Sequence, residues 1–204
     1  MKKGIFITFE GTEGSGKSTQ IKRAASFLRK KGRRVLILRE PGGTGVGEAI
    51  RNVLLDNKHA AMAPSAELLL YLAARAQIVN EKILPALKAG TIVICDRFED
   101  STLAYQGYGR GFSMKDIEAV SQKLVRGTLK PRLTILLDVD PALGLKRGGR
   151  HDRMEKQSLV FHRKVRRGFL ALAKREPRRY LVINTRQDWE LTAKQIRERL
   201  GRVA

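Results

Sequence analysis

Eight residues near the start of the chain, Gly11–Ser18 (GTEGSGKS), constrain its fold more than any other stretch. They match the pattern G-x-x-x-x-G-K-[ST], which cradles phosphate groups when a strand precedes it and a helix follows it. Gly4–Glu10 (GIFITFE) is a short apolar run typical of a buried strand, and a helix-like stretch runs from Lys17 to about Lys31. The sequence therefore predicts a strand, a phosphate loop and a helix in succession.

The rest of the chain alternates short apolar runs with amphipathic stretches. Four further strands are predicted at Arg34–Arg39, Thr91–Cys95, Arg132–Val139 and Tyr180–Asn184. Helices are predicted at Ser65–Lys88 with a kink or break at Pro85, after the N-cap pair Asp140-Pro141, along the apolar stripe Phe161, Val165, Phe169 and Leu172, and at Glu190–Leu200. This alternation is typical of a three-layer α/β fold, in which a five-stranded parallel sheet has helices on both faces, here in one domain over residues 1–204.

Composition excludes several other classes of protein. The 204 residues include one cysteine, Cys95, so no internal disulfide can form, and no Cys/His cluster offers a structural zinc site. No apolar run approaches the ~20 residues of a membrane span. The apolar run after Met1 meets Glu10 before it could act as a signal peptide. We therefore expect a reduced, cytoplasmic protein with no membrane partner.

The residues of the phosphate loop have separate tasks in binding ATP. Glycines let backbone N–H groups converge on phosphate oxygens, and the next helix adds a favourable dipole. Lys17 can reach the β- and γ-phosphates, and the Ser18 hydroxyl is placed to ligate Mg²⁺. The predicted ATP-binding residues are Gly11, Thr12, Glu13, Gly14, Ser15, Gly16, Lys17, Ser18 and Thr19. A GTPase is disfavoured, since Asn57–Ala60 (NKHA) lacks the Asp of the guanine-reading N-K-x-D.

Polar residues follow the second and third predicted strands, at the end of the sheet where ligands bind in such folds. They lie in REPGGT at 39–44 and DRFEDST at 96–102. On the long predicted helix, Tyr71 and Arg75 are four residues apart and share a face, and a flat ring beside a guanidinium suits a nucleobase. Each residue alone also fits a plain structural role. Glu13 either points into solvent or contacts a cation or a sugar hydroxyl.

Together, the motifs resemble thymidylate kinases over nearly the whole chain, and most of all the bacterial form. The matching stretches are the phosphate loop, REPGGT at 39–44, AARAQ at 73–77, DRFEDS at 96–101, AYQG at 104–107 and DRME at 152–155. The resemblance implies a phosphate-loop kinase fold and a homodimer. It also implies transfer of the γ-phosphoryl group of ATP to dTMP, giving dTDP and ADP, with Mg²⁺ as cofactor.

The resemblance implies an acceptor site for dTMP, residue by residue. Its residues are Glu13, Glu40, Pro41, Arg51, Tyr71, Arg75, Arg97, Ser101, Thr102, Tyr105 and Gln106. Tyr71 would stack on thymine and Arg75 would bond a thymine carbonyl. Thr102 and Gln106 would complete the contacts to the base edge. Tyr105 would crowd the sugar 2′ position and so favour deoxyribose.

The phosphate end of the acceptor site is implied in the same way. Arg97, with Arg51, would hold the dTMP phosphate, and Arg97 would also touch the transferred phosphoryl group. Glu13 would contact the 3′-hydroxyl and steady Arg97. Glu40 would help organise this region and the surroundings of Mg²⁺. The candidate Mg²⁺ ligands are Ser18 and Asp96.

A basic, glycine-hinged segment is predicted to form a lid over residues 146–156. In the bacterial-type family the lid supplies the catalytic arginine, and Gly14 and Ser15 leave no arginine in this phosphate loop. Arg153 is the first candidate and Arg150 the second, although either could instead bind adenine or face solvent. The predicted catalytic residues are Lys17, Arg97, Arg153 and Arg150.

The charge leaves a second hypothesis open. Lys and Arg number 41 against 20 Asp and Glu, a net charge of +21 that a kinase fold does not require. Such a surface attracts polyanions, so nucleic-acid binding is an alternative, disfavoured because no nucleic-acid-binding module accompanies it. Another nucleoside monophosphate is also an alternative acceptor, since the thymine methyl is worth only ~1–3 kcal/mol in a pocket.

Overall fold

Within the residues that the structure describes, five parallel strands form one sheet. They are β1 (Ile5–Glu10), β2 (Val35–Arg39), β3 (Ile92–Asp96), β4 (Leu133–Asp138) and β5 (Tyr180–Asn184). In the computed structural model, which describes residues 4–148, 152–186 and 188–203, the order across the sheet is β2-β3-β1-β4-β5. Phe9 of β1 pairs with Asp96 of β3 and Ile135 of β4, so the strands end close to one level. The five predicted strands are confirmed.

Helices cover both faces of the sheet, as predicted. They are α1 (Lys17–Lys30), α2 (Gly45–Leu55), α3 (Pro64–Ile78), α4 (Leu84–Lys88), α5 (Glu99–Thr102), α6 (Met114–Val120), α7 (Pro141–Gly148), α8 (Leu159–Arg175) and α9 (Trp189–Val203). Side chains alternate between the faces of a strand. Ile7 and Phe9 accordingly pack in the cluster that contains α1 and α9, while Phe6 packs in a cluster with the end of α3.

Helices α3, α5 and α6 are continued by stretches of π-helix at Val79–Ile83, Leu103–Gly109 and Ser121–Arg126. The first joins α3 to α4, so the predicted helix over 65–88 is one stretch with an irregular turn directly before Pro85. Proline removes a helical N–H and clashes with the carbonyl four residues earlier, and a wider turn accommodates both effects. The stretch over 99–109 was not predicted as helical, and it carries several site residues.

Two local predictions about α7 and α8 are confirmed. Asp140 caps α7, since its Oδ1 accepts from the backbone N–H of Ala142 at 3.0 Å. The predicted stripe of α8 is buried, along Phe161, Val165, Phe169 and Leu172. Within the described residues, no helix combines the length and apolarity needed to cross a bilayer.

Candidate active site

A cavity of about 290 Å³ opens beyond the carboxyl ends of β1, β2 and β3. The structure brings every predicted acceptor-site residue to its wall: Glu13, Glu40, Pro41, Arg51, Tyr71, Arg75, Arg97, Ser101, Thr102, Tyr105 and Gln106. From the predicted ATP and metal sites, the wall also includes Gly14, Lys17, Ser18 and Asp96. Residues far apart in the chain therefore form one site beside the phosphate loop.

The phosphate loop has the backbone that anion binding requires. Gly14 has φ 64°, a left-handed conformation that side chains disfavour, and a Cβ there would strike the backbone of Gly144 on α7. Gly16 precedes α1 without a side-chain cap, so the first amides of α1 are free to meet phosphate oxygens. Lys17 Nζ donates to the carbonyls of Gly11 and Thr12 at 3.0 and 3.1 Å, which holds it across the loop.

Arg97 occupies the point where β3 ends and the cavity begins. It is non-glycine with φ 71°, a conformation that costs energy and that proteins retain mostly at functional sites. Its Nη1 donates to Gly11 O at 3.0 Å and to Ser101 Oγ at 3.2 Å. Burial, together with repulsion from Arg97, lowers the pKa of Lys17 to about 8. Two cations held this closely indicate a site built for an anion.

Glu13 is the acidic partner that connects Arg97 to Tyr105. Its Oε1 accepts from Arg97 Nη2 at 3.0 Å and from the Tyr105 hydroxyl at 2.6 Å. The side chain is only 11% exposed, so of the two alternatives it contacts a cation and does not point into solvent. Burial raises the pKa of Glu13, but His162, Arg97 and Lys17 outweigh it and hold that pKa well below its usual range.

At the opposite end, Arg75 is fixed in a buried pair. Its Nε lies 2.7 Å from Glu40 Oε2, and its Nη1 donates to Thr102 Oγ1 at 2.9 Å. Neither bond uses Nη2, which leaves a donor for a ligand in the cavity. Arg51 Nη1 donates to the carbonyl of Pro41 at 2.9 Å, so the turn after β2 and helix α2 hold each other at the rim.

The structure describes one of the two arginines that are the catalytic candidates of the predicted lid. Arg153 is 4% exposed and is absent from the cavity wall, although its neighbours Asp152 and Met154 line it. Its Nη1 lies 2.6 Å from Glu67 Oε2 and its Nε donates to Leu54 O at 2.7 Å. Its Nη2 is buried without a hydrogen-bond partner among the described residues, and the catalytic role of Arg153 stays a prediction. Arg150 lies outside the described residues.

Sequence reasoning missed three buried polar residues that support the site, namely Glu10, Glu67 and His162. A signal existed for Glu67, which shares the four-residue spacing of Tyr71 and Arg75 on α3. Glu10 ends a buried strand directly before the phosphate loop, which also marks it. His162 could not be found, because its neighbours on α8 give no sign of the Glu13 that it faces.

Glu10 gives a prediction about pH and stability. Burial, and then repulsion from Asp100, raise its pKa to about 8 from a usual value of 4.5. Between those pH values the folded chain binds more protons than the unfolded chain, so stability falls as pH rises, by at most about 1.4 kcal/mol per pH unit. Glu10→Gln should flatten this dependence in urea unfolding at several pH values. Glu190→Gln, at an exposed carboxylate, is the control. If the unfolding free energy of Glu10→Gln changes with pH as steeply as that of wild type and of this control, the prediction is wrong.

The fold and the site define a phosphate-loop kinase for a small acceptor. A phosphate loop follows β1, cations surround its open side, and a cavity with a tyrosine and a buried arginine lies next to it. The family model for thymidylate kinase matches residues 9–196. The chain belongs to the thymidylate kinase family, and the predicted fold class and ATP-dependent kinase class are confirmed.

Individual relatives agree with the family match. Thymidylate kinase of Geobacter sulfurreducens is 52% identical over 199 residues, covering 93% of each chain. That of Deinococcus radiodurans is 51% identical over 197 residues, covering 95% of each. The crystal structure of thymidylate kinase from Ehrlichia chaffeensis superposes with a TM-score of 0.80 at 36% identity, covering 98% of this chain and 99% of that one.

Proposed function

We propose that this chain transfers the γ-phosphoryl group of ATP to dTMP, giving dTDP and ADP, in the cytoplasm. Membership of the thymidylate kinase family supports the reaction. The observation that carries the assignment is the common cavity, in which every residue implied for the acceptor lies beside the phosphate loop. Phosphoryl transfer asks mainly for positioning and for cations around the transferring group, and this wall provides both.

The proposed pose places thymine at the Tyr71 and Arg75 end of the cavity. Tyr71 would stack on the base, and the unused Nη2 of Arg75 would donate to a thymine carbonyl, with Thr102 and Gln106 completing the edge. The sugar would lie against Tyr105, whose ring leaves little room for a 2′-hydroxyl. These contacts would favour deoxyribose over ribose and thymine over other bases.

The phosphates would lie between the phosphate loop and Arg97. Lys17 and the amides of α1 would bind the phosphates of ATP, while Arg97, with Arg51, would bind the dTMP phosphate. The developing charge then sits among fixed cations. Arg153 remains the first candidate for the lid cation and Arg150 the second, since Glu67 and Leu54 engage Nη1 and Nε of Arg153 and leave its Nη2 without a partner among the described residues.

Mg²⁺ fits the oxygen groups beside the phosphate loop. Asp96 Oδ1 is buried without a hydrogen-bond partner among the described residues, and Ser18 presents an exposed hydroxyl to the same cavity. Mg²⁺ prefers such hard oxygens and usually takes only one or two from protein. We propose Ser18 and Asp96 as the residues that would hold it. The ion neutralises phosphate charge when bound.

The function is tested by an ADP-release assay with ATP·Mg²⁺ against dTMP, dUMP, UMP, dCMP, AMP and GMP. We expect the highest kcat/KM with dTMP, with dUMP weaker because the missing methyl is worth about 10–200-fold at most. Turnover highest with another monophosphate would keep the kinase class and overturn the roles of Tyr71, Arg75, Thr102 and Gln106. Absence of turnover with all six would overturn the proposal.

A homodimer is proposed through an apolar face. Leu69 on α3 is 61% exposed and Leu124, in the π-helical stretch after α6, is 77% exposed, with Val53 of α2 also exposed. Helix α3 packs against both α2 and the π-helical stretch that carries Leu124, and exposed apolar groups of this kind mark association surfaces.

Leu69→Glu combined with Leu124→Glu should therefore convert a dimer into a monomer of the 22.9 kDa chain in sedimentation equilibrium. In a two-fold dimer, each subunit would bury two unpaired carboxylates in an apolar contact. The cost of removing these charges from water opposes association. Leu191→Glu, at an exposed leucine on α9, is the matched control and should remain dimeric. A wild-type monomer, or a double variant that stays dimeric, would contradict this interface.

A further inference from the structure

His162 is a buried polar side chain that the proposed chemistry does not use. It lies on α8, its exposed fraction is 0%, and neither ring nitrogen has a hydrogen-bond partner among the described residues under ordinary geometric limits. Buried polar atoms are almost always satisfied, so an imidazole in this state calls for an explanation. Its Nδ1 lies 3.5 Å from Oε2 of Glu13, a carboxylate oxygen that is itself buried and unsatisfied.

The two oxygens of Glu13 face different groups. Oε1 accepts from Arg97 and from the Tyr105 hydroxyl, while Oε2 faces His162. Rotation of the carboxylate about its last bond would break both Oε1 contacts at once. A group that contacts Oε2 therefore fixes the direction in which Oε1 points. It thereby also fixes the positions of the Arg97 guanidinium and the Tyr105 hydroxyl, which both donate to Oε1.

The contact also joins two parts of the chain that surround the cavity. Glu13 belongs to the phosphate loop, and α8 begins seven residues after Asp152, which lines the cavity wall. The first turn of α8 is held by Ser158, whose Oγ accepts from Phe161 N and whose carbonyl accepts from His162 N. The Phe161 ring packs edge-on against the imidazole with centroids 5.5 Å apart, which restricts the ring further.

We propose that His162 is a positioning residue for the acceptor site, acting through Glu13 on Arg97 and Tyr105. It rests on the proposed function, because those two residues are assigned there to the dTMP phosphate and to the sugar 2′ position. His162 does not touch the reacting atoms. Its effect is to keep the carboxylate aligned, so that the guanidinium and the phenol hold one geometry while the acceptor is bound.

The sharpest readout is discrimination at the sugar, compared with a packing variant of α8 because Phe161 and Phe169 of that helix pack on the Tyr105 ring. The ratio of kcat/KM for dTMP to that for its ribose counterpart, ribothymidine 5′-monophosphate, should fall about tenfold in His162→Leu, which keeps an apolar side chain in the pocket but cannot engage Oε2. His162→Asn, whose amide nitrogen replaces Nδ1, should restore the ratio to within about threefold of wild type.

Matched variants separate this role from a structural one. Val165→Ala, on the same buried face of α8, should lower Tm and leave the sugar ratio unchanged. Glu13→Gln combined with His162→Leu should be no worse in kcat than Glu13→Gln alone, because the imidazole acts through the carboxylate. If His162→Leu does not fold, His162→Met, which is also unable to donate to Oε2, takes its place both alone and in the Glu13→Gln background.

Suppose that the wild-type protein turns over dTMP and that a folded His162→Leu variant has an unchanged ratio of kcat/KM for dTMP to that for the ribose counterpart. This result would overturn the role of His162 and leave the proposed function standing. Strictly additive effects of Glu13→Gln and His162→Leu on kcat would also overturn it. A wild-type protein that does not turn over dTMP would overturn both proposals. Loss of discrimination in His162→Leu, rescue in His162→Asn and non-additivity with Glu13→Gln together would establish the role.

Discussion

Replacing Arg97 with lysine is expected to lower kcat for dTMP phosphorylation by about 10²–10³-fold. The guanidinium donates in three directions, to a carbonyl of the phosphate loop, to Ser101 and to Glu13. A single ammonium on a flexible stem cannot reproduce this fork. Because lysine keeps the positive charge, a lower kcat would show that the positions of the guanidinium donors matter for the reaction. Steady-state kinetics with ATP·Mg²⁺ and dTMP gives the result directly.

Arg166→Lys is the matched control for this change. Arg166 also makes a bidentate pair, with Asp138 at 2.7 and 2.8 Å, but it lies on α8 and does not line the cavity. It should keep kcat within about twofold of wild type, since neither member of this pair lines the cavity. A kcat within about threefold of wild type in Arg97→Lys would contradict the assignment of Arg97 to the transferring phosphoryl group.

The strands could be predicted closely because a parallel sheet covered on both faces leaves a continuous apolar run in the sequence. IFITFE and YLVIN are such runs, and both are strands. The order of the strands could not be predicted, because it depends on which neighbours pair across the sheet. The π-helical turn over Leu103–Gly109 was missed for a similar reason, since its geometry depends on the helices packed around it.

The walls of the cavity could be predicted because they come from short motifs with specific residue types. REPGGT and the DR…AYQG block place Glu40 and Arg97 directly after β2 and β3, and Tyr105 in the helical stretch that follows Arg97. Residues that act through a partner distant in sequence could not be found in this way. Arg153 shows the difference, since its motif gives no sign that its Nη1 pairs with Glu67, 86 residues earlier.

Glu67 carries the second large prediction. It is fully buried and holds three donors: Oε1 accepts from Gln106 at 2.9 Å, and Oε2 lies 3.0 Å from Arg110 and 2.6 Å from Arg153. Glu67→Gln keeps the shape and removes the charge, so it leaves a buried guanidinium without its counter-ion. Breaking a buried pair in this way typically lowers the free energy of unfolding by about 3–5 kcal/mol.

Urea unfolding compares Glu67→Gln with Glu81→Gln, a matched control in the same helical stretch whose carboxylate is exposed and pairs with Lys82. The control should match wild type. Glu67→Gln should also raise KM for dTMP more than it lowers kcat, because an amide offers one acceptor oxygen where the donors of Gln106, Arg110 and Arg153 now share two. Equal stability of the two variants would show that Glu67 does not hold Arg153 in the folded protein.

The pH dependence of this difference provides an independent check on its cause. Burial raises the pKa of Glu67, but Arg110, Gln106 and Arg153 outweigh burial, so the pKa lies below its usual value of 4.5. A carboxyl whose pKa is lowered by folding adds its full stabilisation to the folded state above the usual pKa of 4.5. This stabilisation is lost as the pH falls through the lowered pKa. The gap between wild type and Glu67→Gln should therefore be constant above pH 4.5 and narrow below it. A gap that persists in acid would assign the loss to packing, since the ion pair with Arg153 would no longer contribute there.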